Sequence, residues 1–420
     1  MTHARQAALV IVLCVSLLFP LYAQQPTARA VPDWVRTAVI YEIYPRTFSA
    51  TGDLRGVEAR LDDLKKLGVT ILWLMPIHPV GQAQKKGTIG SPYAVKDYYA
   101  IDPAYGTKED LKRLVGAAHR RGLRVVIDIV ANHTAWDSVL MESPEFYKHD
   151  AAGNITPPVA DWSDVAGLDY ANPRLRAYML DMMKYWLREF DLDGFRCDVA
   201  HMVPRDFWDQ ARAELEKIKP DIVMIAEANS PELLEKAFDV DYAWPFHGVL
   251  TEVIEYGAPA YRIAENWANE RHRFPKGALE MRFSDNHDEK RAIARFGERG
   301  ALAASALVFT MDGVPMLYNG MEAGDTTESG APALFEKLPV FWPISERRPD
   351  FPRFYSQIIA LRKAHLAINL SNQPFFGTAE APAANYEDVT PGLDPAKKRT
   401  IALPILSLDA WEYRILRRAL

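Results

Sequence analysis

The chain has 420 residues, 49% of them hydrophobic and 25% charged, with a net charge of −6. That length exceeds one small domain and suits a barrel with additions. Without a basic excess there is no electrostatic footprint for a nucleic-acid partner.

At the N-terminus, His3 and Arg5 precede an apolar run over residues 7–21 that contains Pro20 and ends Leu21-Tyr22-Ala23. The pattern predicts a signal peptide over residues 1–23 and an exported protein, periplasmic or extracellular. No later stretch is long and apolar enough to span a membrane, so no membrane contact is expected once the signal is removed. Only Cys197 of the two cysteines lies beyond it, so no internal disulfide is expected. A thiol nucleophile there is the less favoured reading; a small buried hydrophobe suits its strand position better.

Residues 38–44 form the first predicted strand. A helix follows over residues 56–67, with Val57, Leu61, Leu64 and Leu67 on one face and Gly68 as its cap, then a strand over residues 69–75. This β-α-β unit implies parallel pairing. Residues 78–106 are long for a connecting loop, which marks a functional or mobile segment. Lys85, Lys86, Gly87 and Gly90 predict an exposed, mobile tip on it. Thr107 and Asp110 form a near capping box for the next helix, and the third strand ends at Asp128. Residues 134–171 read as a small excursion from the repeat. Asn172 and Pro173 then start a helix to about residue 190. Strands ending at Asp198, Glu227, residue 243 and Asp288 follow, with helices near residues 205–217, 231–238, 259–270 and 301–311 between and after them. The last strand covers residues 314–318 and the closing helix residues 351–365. Eight β-α units predict an α/β fold, a (β/α)8 TIM barrel. The barrel occupies residues 33–133 and 172–367. Short strand-like runs at residues 401–408 and 411–416 predict a short C-terminal β-domain over residues 370–420.

Four strands end in charged and polar groups: Asp128-Ile-Val-Ala-Asn132-His133, Arg196-Cys197-Asp198, Glu227-Ala-Asn229 and Asn286-His287-Asp288. Barrel strands deliver their C-terminal ends to one face, where the chemistry sits. Two carboxylates are the minimum for glycosidic hydrolysis, one ionised to attack and one protonated to donate. Asp198 lies two residues from Arg196 and on the same strand face, which favours the ionised form. Glu227 has no adjacent cation in sequence, so it suits the acid. Asp288 is the third carboxylate. The same groups equally suit a divalent cation for metal-assisted hydrolysis, and residue types alone leave both readings open.

These segments resemble the α-amylase family of retaining α-glucan enzymes over roughly residues 35–365. Asp128 to His133 resembles its first motif and Gly194-Phe195-Arg196-Cys197-Asp198 the second, while the run from Gly313 to Glu322 matches its last strand. The resemblance implies Asp198 as nucleophile, Glu227 as acid/base and Asp288 as transition-state stabiliser. It implies substrate contacts from Tyr93, Asp128, His133, Arg196, His201 and His287. Residues 134–171 then correspond to the family's small domain B after the third strand. The implied activity is α-amylase-like hydrolysis of α-1,4-glucosidic bonds in starch or malto-oligosaccharides. The exposed, mobile tip at Lys85 and Lys86 favours malto-oligosaccharides and starch fragments cut internally. The alternative is a cyclomaltodextrinase- or neopullulanase-like hydrolase, or an α-glucan transglycosylase. The implied partner is an α-glucan; nothing sets an oligomeric state.

Two departures stand out. His201 and Met202 occupy positions where the family often has a basic residue and a His, which alters acceptor-side binding. Gly167 replaces an Asp that often binds calcium, so Asn132 is the one metal-ligand position retained. No cofactor is expected to be required, and calcium is the one metal the resemblance raises.

Overall fold

Eight short strands, each buried along its whole length apart from Arg124, alternate with helices that cover them. Strands covered on both sides pair in parallel, and these close on themselves. The computed structural model describes residues 25–365, 385–391, 400–402 and 414–418. The barrel strands are β1 (Ile40–Ile43), β2 (Ile71–Leu74), β3 (Arg124–Ile129), β6 (Gly194–Cys197), β7 (Val223–Ala226), β8 (Val240–Tyr242), β9 (Glu280–Arg282) and β10 (Val314–Tyr318). Between β3 and β6 lie β4 (His133–Ala135) and β5 (Val165–Gly167). Each barrel strand pairs with the next, and β10 returns to β1 through Ile40↔Met316. The protein is therefore a (β/α)8 barrel.

Local signals place the helices. The helical stretch expected over residues 56–67 is split into Leu54–Glu58 and Leu61–Leu67, and Gly68 caps the second at φ +103°. Thr107 and Asp110 make a reciprocal capping box on the helix Lys108–Arg120. Asn172 caps the helix Pro173–Phe190, with Pro173 in its first turn. Two expectations change. Residues 231–238 hold only a 3-10 turn, Pro231–Glu235. The helix expected over residues 301–311 starts earlier, spans Ala292–Thr310, and kinks at Gly297, where φ is +69°.

Antiparallel β4 and β5 form a two-stranded sheet within the excursion between β3 and β6. Near the C-terminus, β11 (Asn385–Asp388) pairs with β12 (Thr400–Ala402) and β13 (Leu416–Arg418). The expected signal peptide and most of the expected strands at residues 401–408 and 411–416 lie outside the described residues. Among the described residues no helix is long and apolar enough to cross a membrane.

Candidate active site

The site is built around Arg196, which is fully buried at the end of β6. A lone buried guanidinium is costly, so it must be paired. Its Nη1 donates to both carboxylate oxygens of Asp128 at 2.8 Å and to Asp198 Oδ1 at 3.0 Å. Its Nη2 pairs with Glu227 Oε2 at 2.8 Å. Its Nε donates to the Tyr242 hydroxyl at 3.2 Å. The rings of Trp73, Tyr93 and Tyr242 lie 5.0–5.6 Å from the guanidinium carbon, within cation–π range. One cation thus holds three carboxylates from three strands.

Glu227 therefore does have a cation, contrary to the sequence expectation; the partner comes from the neighbouring strand. Its Oε2 also accepts from the Val199 amide at 2.8 Å. Val199 adopts φ +34°, a costly conformation for a β-branched residue, and it aims that amide at Glu227. Gly194 opens the same strand at φ +146°, where a Cβ would fall 1.8 Å from the Val223 carbonyl oxygen. Only glycine lets β6 and β7 approach this closely.

Asp198 and Glu227 share one guanidinium, Arg196 pairing with the first at 3.0 Å and the second at 2.8 Å. Two buried carboxyls beside one cation cannot both ionise readily. Burial and then the charge of Glu227 push Asp198 well above the ordinary carboxylate range. Burial also acts to raise Glu227, but Arg196 and then the Val199 amide outweigh it and hold it low. Within the pair, proton affinity is therefore the higher at Asp198. Burial pushes Asp128 up to about 6, against the pull of Arg196.

His287 stacks on Tyr93 with ring centroids 5.3 Å apart. Its Nδ1 bonds Glu42 on β1. Its Nε2 donates to the Tyr93 hydroxyl at 2.7 Å and faces Asp288 Oδ2 at 3.2 Å. Burial alone would depress this imidazole, but Asp288 and Glu42 raise it to about 9. His133 is the opposite case: burial lowers it to about 4, so it is neutral. Its Nε2 lies 4.0 Å from Asp198 Oδ2. Asn286 Oδ1 accepts from the backbone amides of Asp288 and Glu289 at 3.0 and 3.1 Å, a local turn that presents Asp288 outward. The Asp288 side chain is 37% exposed.

A cavity of about 350 Å³ collects Tyr93, His133, Asp198, Glu227, His287 and Asp288 on one lining. Asp128 and Arg196 do not reach it. Both are fully buried beneath, so their expected substrate contacts are corrected to a positioning role. His201 is exposed on a 3-10 turn and does not line the cavity. Cys197 is fully buried, and burial raises its thiol well above the usual value. Sequence reasoning missed Glu42, Tyr242, Trp162 and Asp164. A lone carboxylate in an apolar first strand was the signal available for Glu42.

The surroundings of Asn132 do not fit calcium. Its Nδ2 lies 3.3 Å from His133 Nδ1 and 3.8 Å from Met202 Sδ, whereas calcium takes six to eight oxygens. Gly167 pairs with His133 across β4 and β5. A Cβ at Gly167 would meet the Pro158 nitrogen at 3.2 Å, so a carboxylate there would be crowded.

The expected mobile tip of the loop at residues 78–106 is also corrected. Lys86 Nζ pairs with Asp164 Oδ1 at 3.0 Å. The Ile89 amide donates to the Phe335 carbonyl at 3.0 Å. The tip is tied down on both sides.

The family model described as "Alpha amylase, catalytic domain" matches residues 42–155 and 159–336. The intracellular maltogenic amylase of Bacillus subtilis (strain 168) is 32% identical over 394 residues, covering 82% of this chain and 64% of that protein. The cyclomaltodextrinase of Geobacillus thermopakistaniensis is 29% identical over 396 residues, covering 82% and 65%. The crystal structure of a noncanonic maltogenic alpha-amylase from Thermotoga neapolitana shares 35% identity with a TM-score of 0.73, covering 80% of this chain and 79% of that one. The chain spans just under two thirds of the length of the curated relatives it matches. The expectation of export is corrected by the same comparison: the Bacillus subtilis relatives are named as intracellular enzymes, which points away from an exported protein.

Proposed function

The chain belongs to the α-amylase family and is a glycoside hydrolase of that type, and from that premise we propose that it cleaves α-1,4-glucosidic bonds in cyclic and short linear malto-oligosaccharides with retention of configuration. The observation that carries the reading is the Asp198–Glu227 pair, two carboxyls held by one guanidinium at a cavity wall. Inverting enzymes need roughly 6.5–9.5 Å between carboxyls to admit a water, while retaining enzymes need only about 5–5.5 Å. Two carboxyls gripped by one guanidinium leave little room for a water between them, which supports retention.

Asp198 attacks the anomeric carbon, and its carboxylate oxygen forms the new bond as the glycosidic C–O bond breaks. Glu227 gives its proton to the departing oxygen. A water then enters, Glu227 takes its proton, and the water oxygen displaces Asp198 from the anomeric carbon. The proton must therefore sit on Glu227 and not on Asp198 before attack, which requires its transfer within the pair. A glycosidic oxygen docked at Glu227 supplies the acceptor that favours this transfer. Asp288 faces the positive charge that builds on the sugar ring, and Tyr93, backed by His287, is the surface against which the ring stacks. Residues 134–171 act as domain B and form one wall through Trp162 and Asp164.

The loop tied across the cavity supports short and cyclic substrates over long chains, and the relatives named maltogenic amylase and cyclomaltodextrinase point the same way. The test is kcat/KM on β-cyclodextrin, maltotriose, soluble starch and pullulan. The two small substrates are expected to exceed starch by about tenfold or more, the scale one pocket contact provides. A preference for starch would overturn the substrate assignment.

A further inference from the structure

We propose that the Lys86–Asp164 ion pair is a latch that closes one end of the active-site cavity and limits it to short or cyclic α-glucans. This deepens the substrate reading above and rests on it.

Both side chains line the cavity that holds Asp198, Glu227 and Asp288. They come from separate parts of the chain: Lys86 from the loop after β2, Asp164 from the turn just before β5. Lys86 Nζ lies 3.0 Å from Asp164 Oδ1 and donates to the Asp161 carbonyl at 2.9 Å. Asp164 is only 8% exposed in its side chain, whereas Lys86 is 36% exposed. A carboxylate this buried depends on its cation, so the lysine is held to the wall rather than free in solvent.

The loop that carries Lys86 is anchored at four further points. At its base, the Gln82 amide donates to both Asp137 oxygens at 3.1 Å. A Cβ at Gly81 would sit 2.1 Å from the Ala135 Cβ, so the loop lies hard against β4. On the far side, the Thr88 amide donates to Glu336 Oε1 at 2.8 Å and the Ile89 amide to the Phe335 carbonyl at 3.0 Å. The backbone therefore runs as a strap from residues 161–164 to residues 335–336. Phe335 lines the cavity as well. Of the ties over the cavity, the ion pair is the one made by two charged side chains. It can open without breaking the backbone bonds that fix the loop ends.

Lys86→Met keeps the aliphatic stem and removes the charge; Asp164→Asn keeps the shape. Each is expected to raise the ratio of kcat/KM on amylose to that on maltotriose about tenfold. Lys86→Arg should stay within about twofold of the wild type, and the charge-swapped pair Lys86→Asp with Asp164→Lys should bring the ratio back toward it. A ratio within about twofold of wild type in both single variants would overturn the latch. Hydrolysis of maltotriose and cyclodextrin by the wild type tests the underlying substrate reading. The response of the ratio to charge tests the latch, and either can fail while the other stands.

Discussion

Replacing Asp198 by Asn is expected to lower turnover on maltotriose by a factor on the order of 10⁴–10⁶, the scale seen when a covalent nucleophile is removed. An amide cannot form the glycosyl ester, and the neighbours of Asp198 do not replace it: Glu227 is held by Arg196 and the Val199 amide. His133 Nε2 lies 4.0 Å from Asp198 and is neutral, and Asp128 is sealed beneath Arg196. The fold should survive. Asn keeps an oxygen for Arg196 Nη1, and that guanidinium keeps Asp128 and Glu227. Activity within about tenfold of wild type, in a variant with an unchanged circular dichroism spectrum, would remove Asp198 as nucleophile.

Glu227→Gln is expected to cost roughly 10²–10⁴ in turnover on natural glucans, the range for lost general-acid catalysis. The loss should be smaller for an aryl maltoside with a good leaving group, because that oxygen departs without a proton. The second step still lacks its base, so the glycosyl–enzyme should accumulate and appear as a burst of the aryl product. A uniform loss across both leaving-group classes, with no burst, would assign Glu227 a supporting role. The contrast is informative because Glu227 shares Arg196 with Asp198. A merely structural failure of that pairing would slow every substrate alike.

The barrel was legible because its signals are local. The capping box at Thr107 and Asp110, the Asn172-Pro173 start and the Gly68 stop are each set by residues within a turn of one another. Asp198, Glu227, Asp288, His133 and His287 could be gathered in advance because barrel topology sends strand ends to one face, whereas Tyr93 came from the resemblance to the α-amylase family. What could not be read is which side chain meets which across strands. Arg196 stands beside Asp198 in sequence, yet it also reaches Asp128 on one neighbouring strand and Glu227 on the other. That misplaced the expected charge on Glu227 and made substrate ligands of two buried positioning residues. The loop tip failed for a related reason: Lys85, Lys86 and their glycines are typical of an exposed turn, and only the fold brings Asp164 to Lys86.

The central claim is double displacement by the Asp198–Glu227 pair, and the anomeric configuration of the first-formed product tests it most directly. Proton NMR during the first minutes of maltotriose or cyclodextrin hydrolysis, before mutarotation, should show the α-anomer at the new reducing end, with the β-anomer appearing only later. A β-anomer formed first would mean inversion by a single displacement, and Asp198 could not then be the nucleophile.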